Sequence, residues 1–396
     1  MHSHPYIVVG IFLYVLLFPS SIWVVRDSYA QSSSVVPSVN DNNLVVEPVV
    51  TGLDHPVSIA LLGPNDILVA EQHGIVHRII EGQLTKEPLL DVNVFNFHES
   101  GMLGVETAKN DDGKLYVFLY YTAVEGGNDS SDPNKNIGNR LYRYELVNDK
   151  LVNPKLLLSL PKGNGLHNGG AIKLGPDGNL YIPVGDLFPR VGNRTEGTLA
   201  QNIQNGSRPN LSGGILRMTQ DGRPVGGIIG DSFPESLYFA YGIRNSFGID
   251  FDPITGNMWD TENGPSFGDE INLVVPGFNS GWLRIQGIWP IDDNDLLIDG
   301  YTPYKGYIST GSENITAATG NLADFHGNGK YSDPEFVWNQ SVGVTGLKFL
   351  NSTKLGKVYE NDMFVGDFQG NIYHFDLNED RTALSLNGTL KDKVAD

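Results

Sequence analysis

From Val46 onward the apolar residues fall in short runs rich in β-branched and aromatic side chains, bounded by Gly, Asp, Asn and Pro, and no long stretch carries a helical period. This pattern predicts a mostly β protein. Several runs share one phrase, in which an apolar strand meets a Pro/Asp/Gly turn, returns as a Leu-Tyr-Val-like strand, and is followed by a further strand after a loop. The phrase recurs at 57–79, at 102–122 with 140–146, at 170–186 with 213–219, at 246–265 with 269–275, and at 346–377. Repeats of about four strands predict a β-propeller, whose blades pack face to face around an axis and gather their inner-strand loops at one mouth. Two stacked sandwiches would use the same strands, but the repeated turn phrase favours the propeller. Its irregular spacing speaks for long functional loops rather than a uniform array.

Ahead of this region, Tyr6–Phe18 is an apolar run followed by Pro19-Ser20-Ser21 and, at Ser28-Tyr29-Ala30, a small-x-small pattern. It predicts a secretory signal over residues 1–30, a flexible leader over 31–45 and a propeller domain over 46–396. If uncleaved, residues 6–25 would instead reach the length of a membrane anchor. The 27 basic and 46 acidic residues give a net charge of −19. That balance argues against a nucleic-acid partner, whose phosphates require Lys and Arg, and favours divalent cations. The absence of cysteine removes disulfides, thiolate metal sites and thiol nucleophiles.

The stretch Thr261–Gly281, TENGPSFGDEINLVVPGFNSG, crowds carboxylates and glycines around a Gly-Pro pair. It reads as a loop whose Gly264 and Pro265 carbonyls, near Glu262, Asp269 and Glu270, offer hard oxygens to Ca²⁺; an acidic surface turn is the plainer alternative. His167 is flanked by glycines just before the third repeat, where a near-neutral imidazole has open access as a general base. Arg244-Asn245 occupies the same place before the fourth repeat, pairing a fixed cation with an amide. Glu99 precedes the second repeat and would join them at the mouth. Taken singly, each of these residues has an ordinary structural explanation; their equivalent placement is what links them.

The phrases HNGGAIKLGPDGNLYIPVGD, YGIRNSFGIDFDPITGNMWDTENGP and GDEINLVVPGFNSGW closely resemble those of the soluble PQQ-dependent glucose dehydrogenases and aldose sugar dehydrogenases. The resemblance runs from about Val46 to Leu377 and implies an exported, all-β, six-bladed propeller that oxidises the C1 hydroxyl of aldoses to lactones and passes electrons to an external acceptor. By it, His167 is the base that takes the anomeric hydroxyl proton. Arg244 and Asn245 hold PQQ, with Arg244 also stabilising charge on the quinone. Glu99 touches substrate and cofactor, and Trp338 walls the substrate site. The Gly264 and Pro265 carbonyls ligate the Ca²⁺ that polarises PQQ, and Glu270 belongs to a second calcium site.

Several positions depart from the family. Leu166 replaces an aspartate beside the base, Phe368 and Gln369 stand nearest to a PQQ lysine, and Ser280 stands in place of a calcium-binding tyrosine. Asp396 precedes the family's last blade phrase and its PQQ-binding arginines, so five phrases are visible where six are expected. These departures keep a rival reading open: a catalytically silent calcium-binding propeller acting as a sugar- or protein-binding module.

Overall fold

A computed structural model of the chain describes residues 38–110, 112–187, 202, 204, 208–291 and 315–395. The Tyr6–Phe18 run and the cleavage point expected after Ala30 lie outside the described residues. The compact body is Val49–Asp396. Residues 38–48 belong to a separate unit and contain a turn closed by Asp41, whose carbonyl accepts from Leu44 N at 3.1 Å.

Beside a two-stranded ribbon of Ile285–Gln286 and Trp289–Pro290, five larger sheets follow one another among the described residues. The first is built on Pro56–Gly63, Asp66–Glu71 and Ile75–Ile80, and the second on Met102–Lys109, Leu115–Val124, Asn136–Val147 and Lys150–Ser159. The third contains Lys173–Leu174, Leu180–Val184, Gly214–Met218 and Tyr238–Tyr241, extended by short parallel strands at Phe278–Asn279 and Lys330–Tyr331. The fourth holds Ser246–Phe251, Met258–Glu262, Asp269–Val274 and Phe336–Trp338, and the fifth Val344–Phe349, Met363–Asp367 and Ile372–Phe375. Each sheet coincides with one of the five repeated phrases. The architecture is an all-β propeller.

The strands of the second, third and fourth sheets look like unbroken apolar runs because those sheets are covered on both faces, whereas the first sheet has one covered face and leaves Ile59 and Leu61 exposed on the other. In LYVFLYYTAV, Val117, Leu119 and Tyr121 pack toward the first sheet with Leu68, Ala70 and Val76. The intervening Phe118 and Tyr120 turn to the third sheet and meet Leu180, Ile182 and Val184. Tyr181 and Ile215 then face the fourth sheet, packing with Ile249, Met258 and Val274, while Trp259 and Ile271 face the fifth, packing with Val344, Leu347 and Phe349. Each such apolar side chain contributes about 1.5–3 kcal/mol on burial. The period-two alternation of the strand thus divides one sequence between two cores.

Polar bonds connect consecutive sheets at one end, where the segments entering each first strand lie. Gln72 Nε2 donates to Ser100 O at 2.9 Å, His167 N to Glu99 Oε2 at 2.7 Å, Gly169 N to Asn245 Oδ1 at 3.1 Å, and Asn263 Nδ2 to Val344 O at 2.7 Å. These four bonds run from the first sheet to the fifth and define the mouth.

The stretch 261–281 differs from the expected continuous loop. Thr261 and Glu262 finish a strand, Asp269–Val274 form the next and Phe278–Asn279 a third, so the irregular parts are 263–268, the turn 275–277 and 280–281. Glu262 and Glu270 sit opposite each other in register. The strand tolerates them because donors from elsewhere in the chain reach both carboxylates.

Candidate active site

His167 enters the mouth from the segment before Lys173–Leu174. Its backbone is left-handed, with φ of 53°, and Glu99 accepts from its amide. The ring is buried, and Nδ1 lies 2.6 Å from Asp186 Oδ1. Asp186 is itself placed by Trp282 Nε1, which donates to Oδ2 at 2.9 Å, and by its own amide, which donates to Arg244 O at 2.8 Å. A carboxylate accepting at Nδ1 selects the tautomer protonated there and leaves the lone pair on Nε2, the arrangement a general base needs.

Gly185 makes this proximity possible. A Cβ at this position would lie 2.3 Å from His167 O, 2.8 Å from Arg244 O and 2.9 Å from Asn245 Oδ1. The backbones of the third and fourth entry segments therefore meet across a residue that has no side chain.

Arg244 is buried, with Nη1 donating to Asn263 O at 2.8 Å and the guanidinium 5.4 Å from the centre of the Trp282 ring. Burial pushes its pKa below the ordinary arginine value, while the charges of Asp186, Glu99, Asp269 and Glu262 pull it back up. The result is a fixed cation with little solvent around it. Asn245 lies beside it and accepts from Gly169 N.

The turn 263–268 is held by Asp269, which accepts from Gly264 N at 2.8 Å, Ser341 Oγ, Val342 N at 2.9 Å, Gly343 N at 2.7 Å and Val344 N at 3.3 Å. Gly264 has no room for a side chain, since a Cβ would fall 1.8 Å from Phe267 O. Among the described residues no donor reaches the carbonyl oxygens of Gly264 or Pro265, which leaves both able to ligate a hard cation.

Behind this turn, Glu262 and Glu270 are joined by Asp260, which the sequence did not single out. Asp260, Glu262 and Glu270 are all fully buried on one face of the fourth sheet. Glu262 accepts from Arg244 N at 2.6 Å and from Ser280 Oγ at 2.6 Å, and Glu270 from Gln286 Nε2 at 2.9 Å, Asn272 Nδ2 at 3.1 Å and Gly287 N. Ser246 and Asn272 lie near Asp260 without well-aligned bonds to it, and both of its oxygens, Ser246 Oγ and Asn272 Oδ1 lack a partner. Burial raises the Asp260 pKa to about 7. Burial and mutual repulsion also push Glu262 well up, and burial does the same to Glu270. So much unrelieved acid is suited to a cation.

Of the residues expected from the sequence, the structure brings His167, Arg244, Asn245, Glu99, Gly264 and Pro265 to the mouth, with Glu270 behind the turn. Trp338 is a correction: it lies in the apolar core between the fourth and fifth sheets, its ring 4.8 Å from Phe336 and 5.3 Å from Tyr373. The strand pleat turns it away from the mouth. Asp186, Trp282, Asn263 and Asp260 were missed. Asp186 had a usable signal, because it follows the second strand of its sheet as Asn263 does in the next.

The comparisons fit this geometry. The chain is 26% identical over 355 residues to the aldose sugar dehydrogenase YliI of Escherichia coli K12, covering 89% of this chain and 82% of that one. It is 31% identical over 206 residues to quinoprotein glucose dehydrogenase B of Acinetobacter calcoaceticus, covering 48% and 41%. The PQQ-bound aldose sugar dehydrogenase of Streptomyces coelicolor shares the fold, with a TM-score of 0.59 at 23% identity over 87% of this chain and 83% of that one. The profile described as Glucose / Sorbosone dehydrogenase matches residues 53–289, a span that begins before the first sheet and runs past His167, Arg244 and the Gly264-Pro265 turn. With the match extending over more than half its length and over the mouth itself, the chain belongs to the glucose/sorbosone dehydrogenase family.

Proposed function

We propose that this protein is an exported PQQ- and Ca²⁺-dependent dehydrogenase that oxidises the C1 hydroxyl of aldose sugars to lactones and delivers the electrons to an external acceptor. The observation that carries this reading is the buried His167–Asp186 pair set beside the buried Arg244. PQQ, when bound, supplies a quinone able to accept hydride from the sugar. His167 Nε2 takes the proton from the C1 hydroxyl, and Asp186 orients the ring and stabilises the imidazolium that results. Arg244 and Asn245 hold the anionic cofactor, Arg244 offering charge that needs no reorganisation during the reaction. Glu99 fixes the His167 backbone at the rim. The residues fit Ca²⁺ as well: the Gly264 and Pro265 carbonyls would hold one ion, and Glu270, within its under-neutralised cluster, would hold a second. Export follows from the apolar segment and its small-residue cleavage pattern, with membrane attachment through residues 6–25 as the uncleaved form.

A second reading, a calcium-holding propeller that binds sugar or protein without turnover, draws on Phe368. This residue is 88% exposed where the family carries a PQQ lysine. Reconstituting the full-length protein with PQQ and Ca²⁺, then supplying an artificial acceptor and a panel of aldoses, separates the two. Acceptor reduction that depends on both PQQ and aldose is expected. Failure to bind PQQ in the presence of Ca²⁺ would favour the silent module.

A further inference from the structure

We propose that Asp54, His55 and His73 form a site for a divalent transition-metal ion, of which Zn²⁺ is the representative, at the first-sheet rim of the mouth. Each residue offers one ligand atom, and these atoms lie within 4.8 Å of one another. His55 Nδ1 is 2.6 Å from Asp54 Oδ1, His73 Nε2 is 3.7 Å from Asp54 Oδ2, and the two imidazoles meet edge to face with centroids 5.3 Å apart. Two borderline imidazole nitrogens with one carboxylate oxygen suit Zn²⁺, Co²⁺ or Cu²⁺, whereas Ca²⁺ takes oxygen alone. The open side toward solvent leaves the fourth position for water. This chemistry differs from that of the carbonyls and carboxylates of the fourth sheet, so the two sites would not compete for the same ion.

The backbone holds the three ligands in place before any ion arrives. Asp54 N donates to the buried Glu71 carboxylate at 2.7 Å, and His55 O accepts from Gln72 N at 3.0 Å. These bonds tie the segment entering the first strand to the turn leaving the second. His55 adopts φ of 50°, a left-handed conformation that a non-glycine residue takes up only when its surroundings enforce it. Asn96, from the segment leading to the second sheet, sets its side-chain amide against His73 Nδ1; turned so that Oδ1 faces the ring, the amide accepts the Nδ1 proton and leaves the Nε2 lone pair directed at Asp54. A polar group fixing the second nitrogen is the usual accompaniment of a metal-bound imidazole. Occupancy would tie the 54–55 segment to the turn carrying His73, with Asn96 supporting it from the segment leading to the second sheet.

The test is equilibrium binding of Zn²⁺, and of Co²⁺ read by its visible absorption, to the untagged full-length protein. The variants are His73→Gln, His55→Gln, Asn96→Ala and His374→Gln. All four positions are at least partly solvent-accessible, and unchanged metal-free unfolding verifies that each variant is folded. His374→Gln controls for the other group able to hold a metal among the described residues, Asp362, His374 and Asp376. Loss of one bound ion in His73→Gln and in His55→Gln is expected, with a ~10–100-fold weakening in Asn96→Ala, retention in His374→Gln, and no displacement by excess Ca²⁺. Equal Zn²⁺ affinity in the wild type and His73→Gln, or loss only in His374→Gln, would overturn the assignment. None of these readouts depends on PQQ or on turnover.

Discussion

Replacing Asp260 by Asn removes one of three buried carboxylates while keeping its shape, and the structure sets the size of the effect. Asp260 rises from its ordinary 3.8 to about 7 because burial penalises its charged form. In the unfolded chain this carboxyl loses its proton near pH 4, whereas the fold retains it until about 7. The native state therefore binds the extra proton throughout that window. The stability conferred by the protonated form is fully present below about pH 4 and is lost as pH rises through 7, the reverse of an ion-paired carboxylate. At about 1.4 kcal/mol per pH unit, the loss across the window is roughly 4 kcal/mol. The group is fully buried, so solvent screening does little to reduce it. In chelator, urea unfolding from pH 5 to pH 8 should show the wild type weakening steeply and Asp260→Asn less steeply, making the variant the more stable protein at pH 8. Glu262 and Glu270, also raised, keep some slope in both. Excess Ca²⁺ should flatten the wild-type curve, since an ion that binds the native carboxylates takes the place of the proton. Parallel pH curves for the two proteins would refute the reasoning.

The other predictions concern the mouth and the N-terminus. His167→Ala should lower turnover of the reconstituted enzyme by ~10²–10⁴-fold with little change in PQQ affinity, and Asp186→Asn by ~10–100-fold through loss of a charge-assisted bond; steady-state rates near wild type in either would remove His167 as the base. Arg244→Ala should weaken PQQ binding and slow the reaction together, so unaltered cofactor titration would contradict its assigned role. Gly185→Ala should cost about 1–3 kcal/mol in denaturant unfolding, because the new methyl meets backbone oxygens on two segments; an unchanged midpoint would show that the segments separate freely. Mass spectrometry of the native protein should find a mature chain starting near residue 31, and an intact Met1–Ala30 would point to the anchored form.

The sheets were legible because alternation with both faces covered produces the short unbroken runs of Val, Leu, Ile and Tyr seen in LYVFLYYTAV and GNLYIPVGD. His167 and Arg244-Asn245 were legible as the same place in successive repeats. The rest depended on partners far away in the chain. The place of Asp186 after the second strand of its sheet marks it for the mouth, but its role as the support of His167 also requires Trp282 and Arg244, which are distant in the chain. The stretch 261–281 was read as loop since paired carboxylates ordinarily weaken a strand, and the donors that satisfy Asp269 come from 341–344. Trp338 was misplaced for a related reason: a strand residue's direction follows from its register, and the pairing of Trp338 with Asp269 turns its ring into the core.

The sharing of the second, third and fourth sheets between two cores also has a meaning in time. A chain emerging from the ribosome folds from its N-terminus, and here each new sheet covers the face its predecessor left wet. Growth proceeds by neighbours, with modest loop closure at each addition. The mouth follows a different schedule. His167 emerges early, but its ring is set only once Asp186, Arg244 and then Trp282 have arrived, and the Gly264-Pro265 turn waits for Ser341 to Val344 to close around Asp269. A stalled chain would thus carry well-formed sheets around a slack mouth, and competence for ligands would appear late.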